Sequence, residues 1–312
     1  MTKQLRKVVT YLMVMVFGLG LVSTTSTVKA QEVEGKIGFS ISTLNNPFFV
    51  SMAEGAEAKA EELGVEINIV DAGNDTAKQT TDIEDLINSG INVLIVNPVD
   101  SASVGTAVQN AIDAGIKVIS VDRTVEGAEV DTYIGTDNVI AGEAVGEELL
   151  TYLSEEDSII ILEGVPGSSS AIDRHQGFMN ALEGNINIVA TQTANYDRTE
   201  GLTVTENLLQ AHPDVKAIVS ANDEMALGAI EAINASGKVA GEDILVTGFD
   251  AGDDAKKAVT DGTMLFTVEQ MTVVMGELAV ETAVAMINGE DYESNLPIDV
   301  ILLDMEALEA AE

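Results

Sequence analysis

Residues 93–123 read VLIVNPVDSASVGTAVQNAIDAGIKVISVDR. An apolar run, Val93–Val96, stops at Asn97 and Pro98; a stretch with helical spacing covers Ser103–Ala114; a second apolar run, Lys117–Val121, stops at Asp122 and Arg123. Short β-branched runs suit strands buried on both faces of a parallel sheet, and the longer stretch between them suits a crossover helix. Gly115 falls just past that helix, where a left-handed stop favours glycine. The segment therefore predicts strand, helix, strand, with polar side chains waiting at each strand exit.

Outward from this unit the alternation continues. Upstream, strands are expected at Lys36–Ile41 and Glu66–Val70, with helices over Phe48–Leu63 and near Ala77–Ser89, closed by Gly64 and Gly90. Downstream, strands are expected at Ile159–Leu162, Ile186–Thr191, Ala217–Val219, Leu245–Thr247 and Leu265–Val268, with helices between them. A helix over Thr272–Ile287, a last strand near Ile298–Leu302 and a short acidic helix or frayed end over Asp304–Glu312 complete the pattern. Repeated units of this kind give an α/β fold with doubly wound parallel sheets. Ala217–Asp250 echoes the opening segment: strand, Asn222, helix, strand, Asp250. Two similar lobes would each present an Asn and an Asp from adjacent strand ends, and ligands of open α/β sheets bind beyond those ends.

The first thirty residues are of another kind. Lys3, Arg6 and Lys7 precede an apolar run from Val8 to Val22, and Val28-Lys29-Ala30 forms a small-x-small exit. That is the pattern of a secretory signal peptide, with cleavage expected after Ala30, and the run is short for a membrane span. An N-terminal membrane anchor is the alternative. With no cysteine in the chain, a lipid anchor at the cleavage site, disulfides, Cys-zinc sites and thiol nucleophiles all drop out. A soluble protein of a periplasm-like space is expected. Four of the 15 basic residues lie in the leader, leaving 11 against 52 Asp and Glu. Such a surface repels phosphate backbones and makes nucleic acid a poor partner. It is either an ordinary solvated surface or one adapted to high salt, where screening relieves self-repulsion.

A sugar offers hydroxyl edges and flatter apolar faces, so its site needs carboxylates, amides and Arg forks around the rim and aromatic rings against the faces. Ser42–Phe49 (STLNNPFF) follows the first strand; Asn46 suits the helix cap and Pro47 the first turn. Phe48 and Phe49 differ by about 100° around the helix, so at least one is free to line a cleft. Asp122 and Arg123 sit at a strand exit, and Arg174 is one of three Arg residues after the leader. Asp122 and Arg123 could instead be a surface ion pair of little consequence, and Arg174 a simple partner for nearby acids.

Ser42–Phe49, Asn97–Ser101 (NPVDS), Val121–Arg123 (VDR), Asn222–Gly228 (NDEMALG) and Gly248–Asp250 (GFD) together resemble the ribose-binding proteins of bacterial ABC transport. The resemblance implies a type I periplasmic binding protein: two lobes joined by three hinge crossovers near Thr136, Gln270 and Pro297, closing on a monosaccharide, D-ribose favoured. It implies an N-terminal lobe of 31–135 plus 270–297 and a C-terminal lobe of 136–269 plus 298–312. By motif, Asn46, Asn97, Asp122, Arg123, Arg174, Asn222, Asp250 and Gln270 would hold sugar hydroxyls. Phe48 and Phe49 would cover one sugar face and Tyr196 the other, with Ser42 and Thr136 as secondary contacts. Tyr196 stands where Phe is usual and Thr136 where Ser is usual, so the preference for ribose over another pentose, a hexose or an autoinducer stays open. The implied partners are an ABC permease and a chemoreceptor, with no cofactor, no metal and a monomeric state.

Two other classes are weighed. A hydrolase would need more than His175 and His212, and the run Gly164–Ser170 (GVPGSSS) lacks the Lys-Ser/Thr ending of a phosphate loop. A sugar-responsive repressor would carry a DNA-binding helix-turn-helix where the leader stands.

Overall fold

The computed structural model describes residues 34–311; the expected leader and its cleavage site lie outside the described residues. Strands β1 (Lys36–Ile41), β2 (Glu66–Asp71), β3 (Val93–Val96), β4 (Lys117–Val121) and β5 (Thr132–Thr136) join a late strand, β11 (Asn295–Ile298), in one parallel sheet. Its order is β11-β5-β4-β3-β1-β2. Helices α1 (Pro47–Leu63) and α9 (Thr272–Asn288) cover one face, while α2 (Thr76–Asn88) and α3 (Gly105–Asp113) cover the other. Every residue of β3 is buried, as its unbroken apolar run requires. Gly64, at φ 67°, ends α1 in the left-handed conformation expected of it. Gly276 lets α9 lie against α1, because a Cβ there would run into the Met52 carbonyl.

A second sheet, β7-β6-β8-β9, is built from β6 (Ser158–Glu163), β7 (Asn187–Thr193), β8 (Ala217–Ser220) and β9 (Leu245–Thr247). Around it pack α4 (Asn138–Leu150), α5 (Ser169–Leu182), α6 (Arg198–Ala211), α7 (Asp223–Ala235) and α8 (Asp253–Thr260). Strand β10 (Thr267–Glu269) pairs antiparallel with β12 (Ile301–Leu303), and α10 (Met305–Ala311) closes the chain.

The chain passes three times between the six-stranded sheet and the part built on the other two sheets: between β5 and α4, between β10 and α9, and between β11 and β12. Two sequence expectations change here. The short strand β5 carries no strong apolar run of its own and is held between β4 and β11. The single strand expected near Ile298–Leu302 is two strands in two sheets, because the chain changes sheet at Asp299-Val300.

Candidate functional site

Strand ends of both sheets face a common cleft. Asn46 caps α1, its Oδ1 accepting from the Phe48 amide at 2.9 Å, and Pro47 opens the helix. This aims Phe48 and Phe49 across the cleft as an edge-on pair, with centroids 5.1 Å apart and planes at 84°. Asn222 caps α7 in the same way, its Oδ1 accepting from Met225 at 3.0 Å. Beyond β4, β7 and β9 the backbone is contorted: Asp122, Tyr196 and Asp250 have φ of 63°, 59° and 120°. Non-glycine residues held in this region concentrate at ligand clamps, because something else must over-determine them.

Asn46, Phe48, Phe49, Asp122, Arg123, Ser170, Arg174, Tyr196, Asn222, Asp250 and Gln270 line one cavity that opens to solvent. Ten of the thirteen residues expected from sequence thus come together. The Asp122 carboxylate accepts from Asn97 Nδ2 at 3.1 Å and lies 3.5 Å from Arg123 Nε. Arg123 donates to the Pro98 carbonyl at 2.7 Å and to Ser170 Oγ at 3.2 Å, and lies 5.1 Å from the Phe49 ring centroid. Arg174 stacks 3.7 Å from the Phe249 centroid, and Asn138 Oδ1 accepts from its Nε and Nη2 at 3.0 and 2.8 Å. Its Nη1 is 3.9 Å from Asp250 Oδ1, which also accepts from Gln270 Nε2 at 2.7 Å.

Burial raises the pKa of both carboxyls. For Asp122, the Arg123 and Arg174 charges and the Asn97 bond oppose it. For Asp250, Arg174 and Gln270 oppose it, while the negative charges of Asp223 and Asp122 add to it. Burial likewise works against the Arg123 charge, and Asp122 restores it. Asn222 Nδ2, Gln270 Oε1 and the Tyr196 hydroxyl are buried with no protein partner. An unmet buried polar atom costs about 1–3 kcal/mol, so three around one cavity favour a polar occupant. Two carboxylates, two guanidinium groups, free amide atoms and three rings are the donor, acceptor and stacking set of a small polyol site.

Three expected residues do not line the cavity. Asn97 spends its amide on Asp122 and the Val121 carbonyl, and its oxygen on the Ser42 amide at 3.2 Å, so it braces Asp122 from behind. Ser42 and Thr136 are buried with unpartnered hydroxyls outside the lining. Conversely, Ser170 lines the cavity and Asn138 holds Arg174, and sequence singled out neither. Ser170 ends the GVPGSSS run, which also joins the two lobes directly. The Ser101 amide donates to the Gly167 carbonyl at 3.0 Å, the Ser169 amide to Ser101 Oγ at 3.2 Å, and the Thr124 amide to Ser169 Oγ at 2.9 Å. Among the described residues no group of three or more His, Cys, Asp or Glu is placed to hold a metal ion, and no helix is long and apolar enough to cross a membrane.

Comparison with known proteins bears on the family and the fold. A family model described as a periplasmic binding protein domain matches residues 37–291. A ribose import binding protein of Bacillus subtilis is 45% identical over 263 residues, 84% of this chain and 85% of that protein. Its Escherichia coli counterpart is 40% identical over 284 residues, 90% of this chain and 95% of that protein. Among solved structures, a Caulobacter myo-inositol binding protein bound to myo-inositol superposes with a TM-score of 0.85 at 32% identity, covering 91% of this chain and 97% of the other. An Actinobacillus succinogenes periplasmic solute binding protein with bound D-allose gives 0.81 at 30% identity, covering 89% and 100%.

Proposed function

We propose, because this chain belongs to the periplasmic binding protein family, that it is the extracytoplasmic sugar-binding component of an ABC importer. D-ribose is the favoured ligand, since relatives that cover most of this chain are ribose import binding proteins. The observation that carries the reading is the pairing of one carboxylate and one guanidinium from each half around a cavity with three unmet polar atoms. The protein binds and releases its ligand without chemical change. Asp122 and Asp250 accept from sugar hydroxyls, and Arg123 and Arg174 oppose the burial that raises the pKa of those carboxyls. Phe48 and Phe49 take one face of the ring, and Tyr196 the other.

A ligand touching both lobes favours the closed arrangement by its differential affinity, and the three passages of chain between sheets are the hinges. The Ser101–Ser169 contacts add a direct latch. The closed face is then what a permease, and a chemoreceptor, would read. Export by the N-terminal leader, cleavage after Ala30, absence of a lipid anchor and a monomeric state complete the proposal.

Calorimetric titration of the mature protein against pentoses, hexoses and inositols tests it: saturable 1:1 binding of D-ribose is expected, and no heat with any of them ends the reading. A second reading, a six-carbon polyol as ligand, rests on the unpartnered Tyr196 hydroxyl, which could meet one extra ligand hydroxyl. The same titration ranks the two.

A further inference from the structure

Asp223, the first residue of α7, is buried and lies outside the lining of the sugar cavity. Its partners are unusual. Its amide donates to the Phe249 carbonyl at 2.8 Å, its Oδ1 accepts from Thr267 Oγ1 at 2.7 Å, and its Oδ2 accepts from the Gly252 amide at 2.9 Å. The Thr267 hydroxyl in turn accepts from the Ala251 amide at 3.1 Å. The Asp223 backbone amide therefore fastens Phe249, its carboxylate Gly252 and the Thr267 hydroxyl Ala251, the residues on either side of Asp250. Within that turn Asp250 has φ 120° and Ala251 φ 55°, conformations that persist only when surrounding bonds impose them. Gly248 completes the fit, because a Cβ there would meet Asp223 Oδ1.

We propose that Asp223 is a positioning residue that holds the strained 249–252 turn against β10 and so aims the Asp250 carboxylate into the cavity. The inference rests on reading Asp250 as a ligand-contacting group. The electrostatics fit. Burial pushes the Asp223 carboxyl up to about 7, while its Thr267 and amide bonds pull it down and Glu224 adds to the rise. Its negative charge is among the causes that raise Asp250. The surrounding charges are Glu224 on its own helix, Arg198 on α6 paired with Glu224 and Asp254, Lys256 on α8 paired with Glu269 of β10, and Arg174 beside Asp250. Asp223 itself forms an ion pair with none of them among the described residues. Its bonds go to the turn.

A double-mutant cycle on the full protein tests the assignment, read by calorimetry with D-ribose. Asp223→Ala is expected to weaken binding at least tenfold in the wild-type background and less than threefold in an Asp250→Asn background, because the positioned group has already lost its charge. Asp223→Asn, which keeps an acceptor for Gly252 and a donor toward Thr267, is expected to recover most of the loss. Equal losses in both backgrounds, or no loss in either, overturn the inference. If Asp223→Ala does not fold, Thr267→Val removes the hydroxyl that bridges the Asp223 carboxylate and the Ala251 amide, and the cycle is run with it under the same two criteria. Asp250→Asn binding as tightly as wild type overturns the reading of the cavity itself, and this inference with it.

Discussion

Replacing Asp122 separates its two roles. Asp122 and Arg123 are 3% and 1% exposed, so neither charge has water to fall back on. Asparagine keeps the side-chain volume and an acceptor for Asn97 Nδ2, and removes only the charge that faces the ligand and Arg123. A hydrogen bond to a charged group contributes about 1.5–3 kcal/mol, so losing the charge weakens sugar binding roughly 10- to 150-fold. Alanine also takes from Asn97 Nδ2 one of its two acceptors, leaving the Val121 carbonyl, and leaves Arg123 with only neutral partners, Pro98 and Ser170, and the faces of Phe49 and Tyr196. Breaking a buried pair in this way costs about 3–5 kcal/mol of folding stability. The burial of both partners therefore predicts that Asp122→Ala loses stability as well as affinity. Calorimetry and thermal melts on both variants read the two effects. An asparagine variant that binds within twofold of wild type, with a native melt, refutes the role given to Asp122. An alanine variant that melts with wild type refutes the buried-pair argument.

Other consequences follow the same logic. Because the folded pKa of Asp223 is raised to about 7 from a carboxyl's ordinary value near 4, folding takes up a proton between those pH values. Its stabilising contribution is therefore complete below about pH 4 and lost as pH rises to 7, at up to about 1.4 kcal/mol per pH unit; denaturant melts of Asp223→Asn should lack that slope, and an unchanged slope counts against the shift. Ser169→Ala removes the acceptor of the Thr124 amide, worth about 0.5–1.5 kcal/mol, so X-ray scattering without ligand should show a larger radius of gyration and sugar affinity should fall up to roughly tenfold. An unchanged profile would deny the latch. Tyr196→Phe deletes a buried hydroxyl with no protein partner, so the variant should melt at or above wild type and keep D-ribose affinity within threefold. A tenfold loss of ribose binding would place that hydroxyl on the sugar. With 15 basic against 52 acidic residues, thermal stability should rise from low to molar salt, and a flat melting temperature removes the high-salt reading.

What sequence could say about the fold depended on where the signal was local. The buried runs of β1, β3, β4 and β9 carry their own apolar signature, and their observed limits match those read from sequence. Strand β5 does not, because Thr132–Thr136 is a strand by virtue of its neighbours. Residues 298–302 read as one strand because the change of sheet at Asp299-Val300 leaves no mark on hydrophobicity. At the site, strand-exit positions and the paired Phe residues pointed to a cleft, and the resemblance to ribose-binding proteins supplied the rest of the set, ten of which line the cavity. Asn97 stands at such an exit but turns its amide inward, a difference of side-chain direction that spacing cannot encode. Ser170, Asn138 and Asp223 act through partners 20 to 50 positions away in sequence, so only the folded chain reveals them.

The claim beneath all of this is that groups from both lobes surround one small sugar, and a crystal structure of the mature protein with D-ribose tests it most directly. The account predicts sugar hydroxyls within hydrogen-bonding distance of both Asp122 and Asp250, and the ring between Phe48–Phe49 and Tyr196. Ribose bound elsewhere, or held by one lobe with either carboxylate turned away, would contradict it.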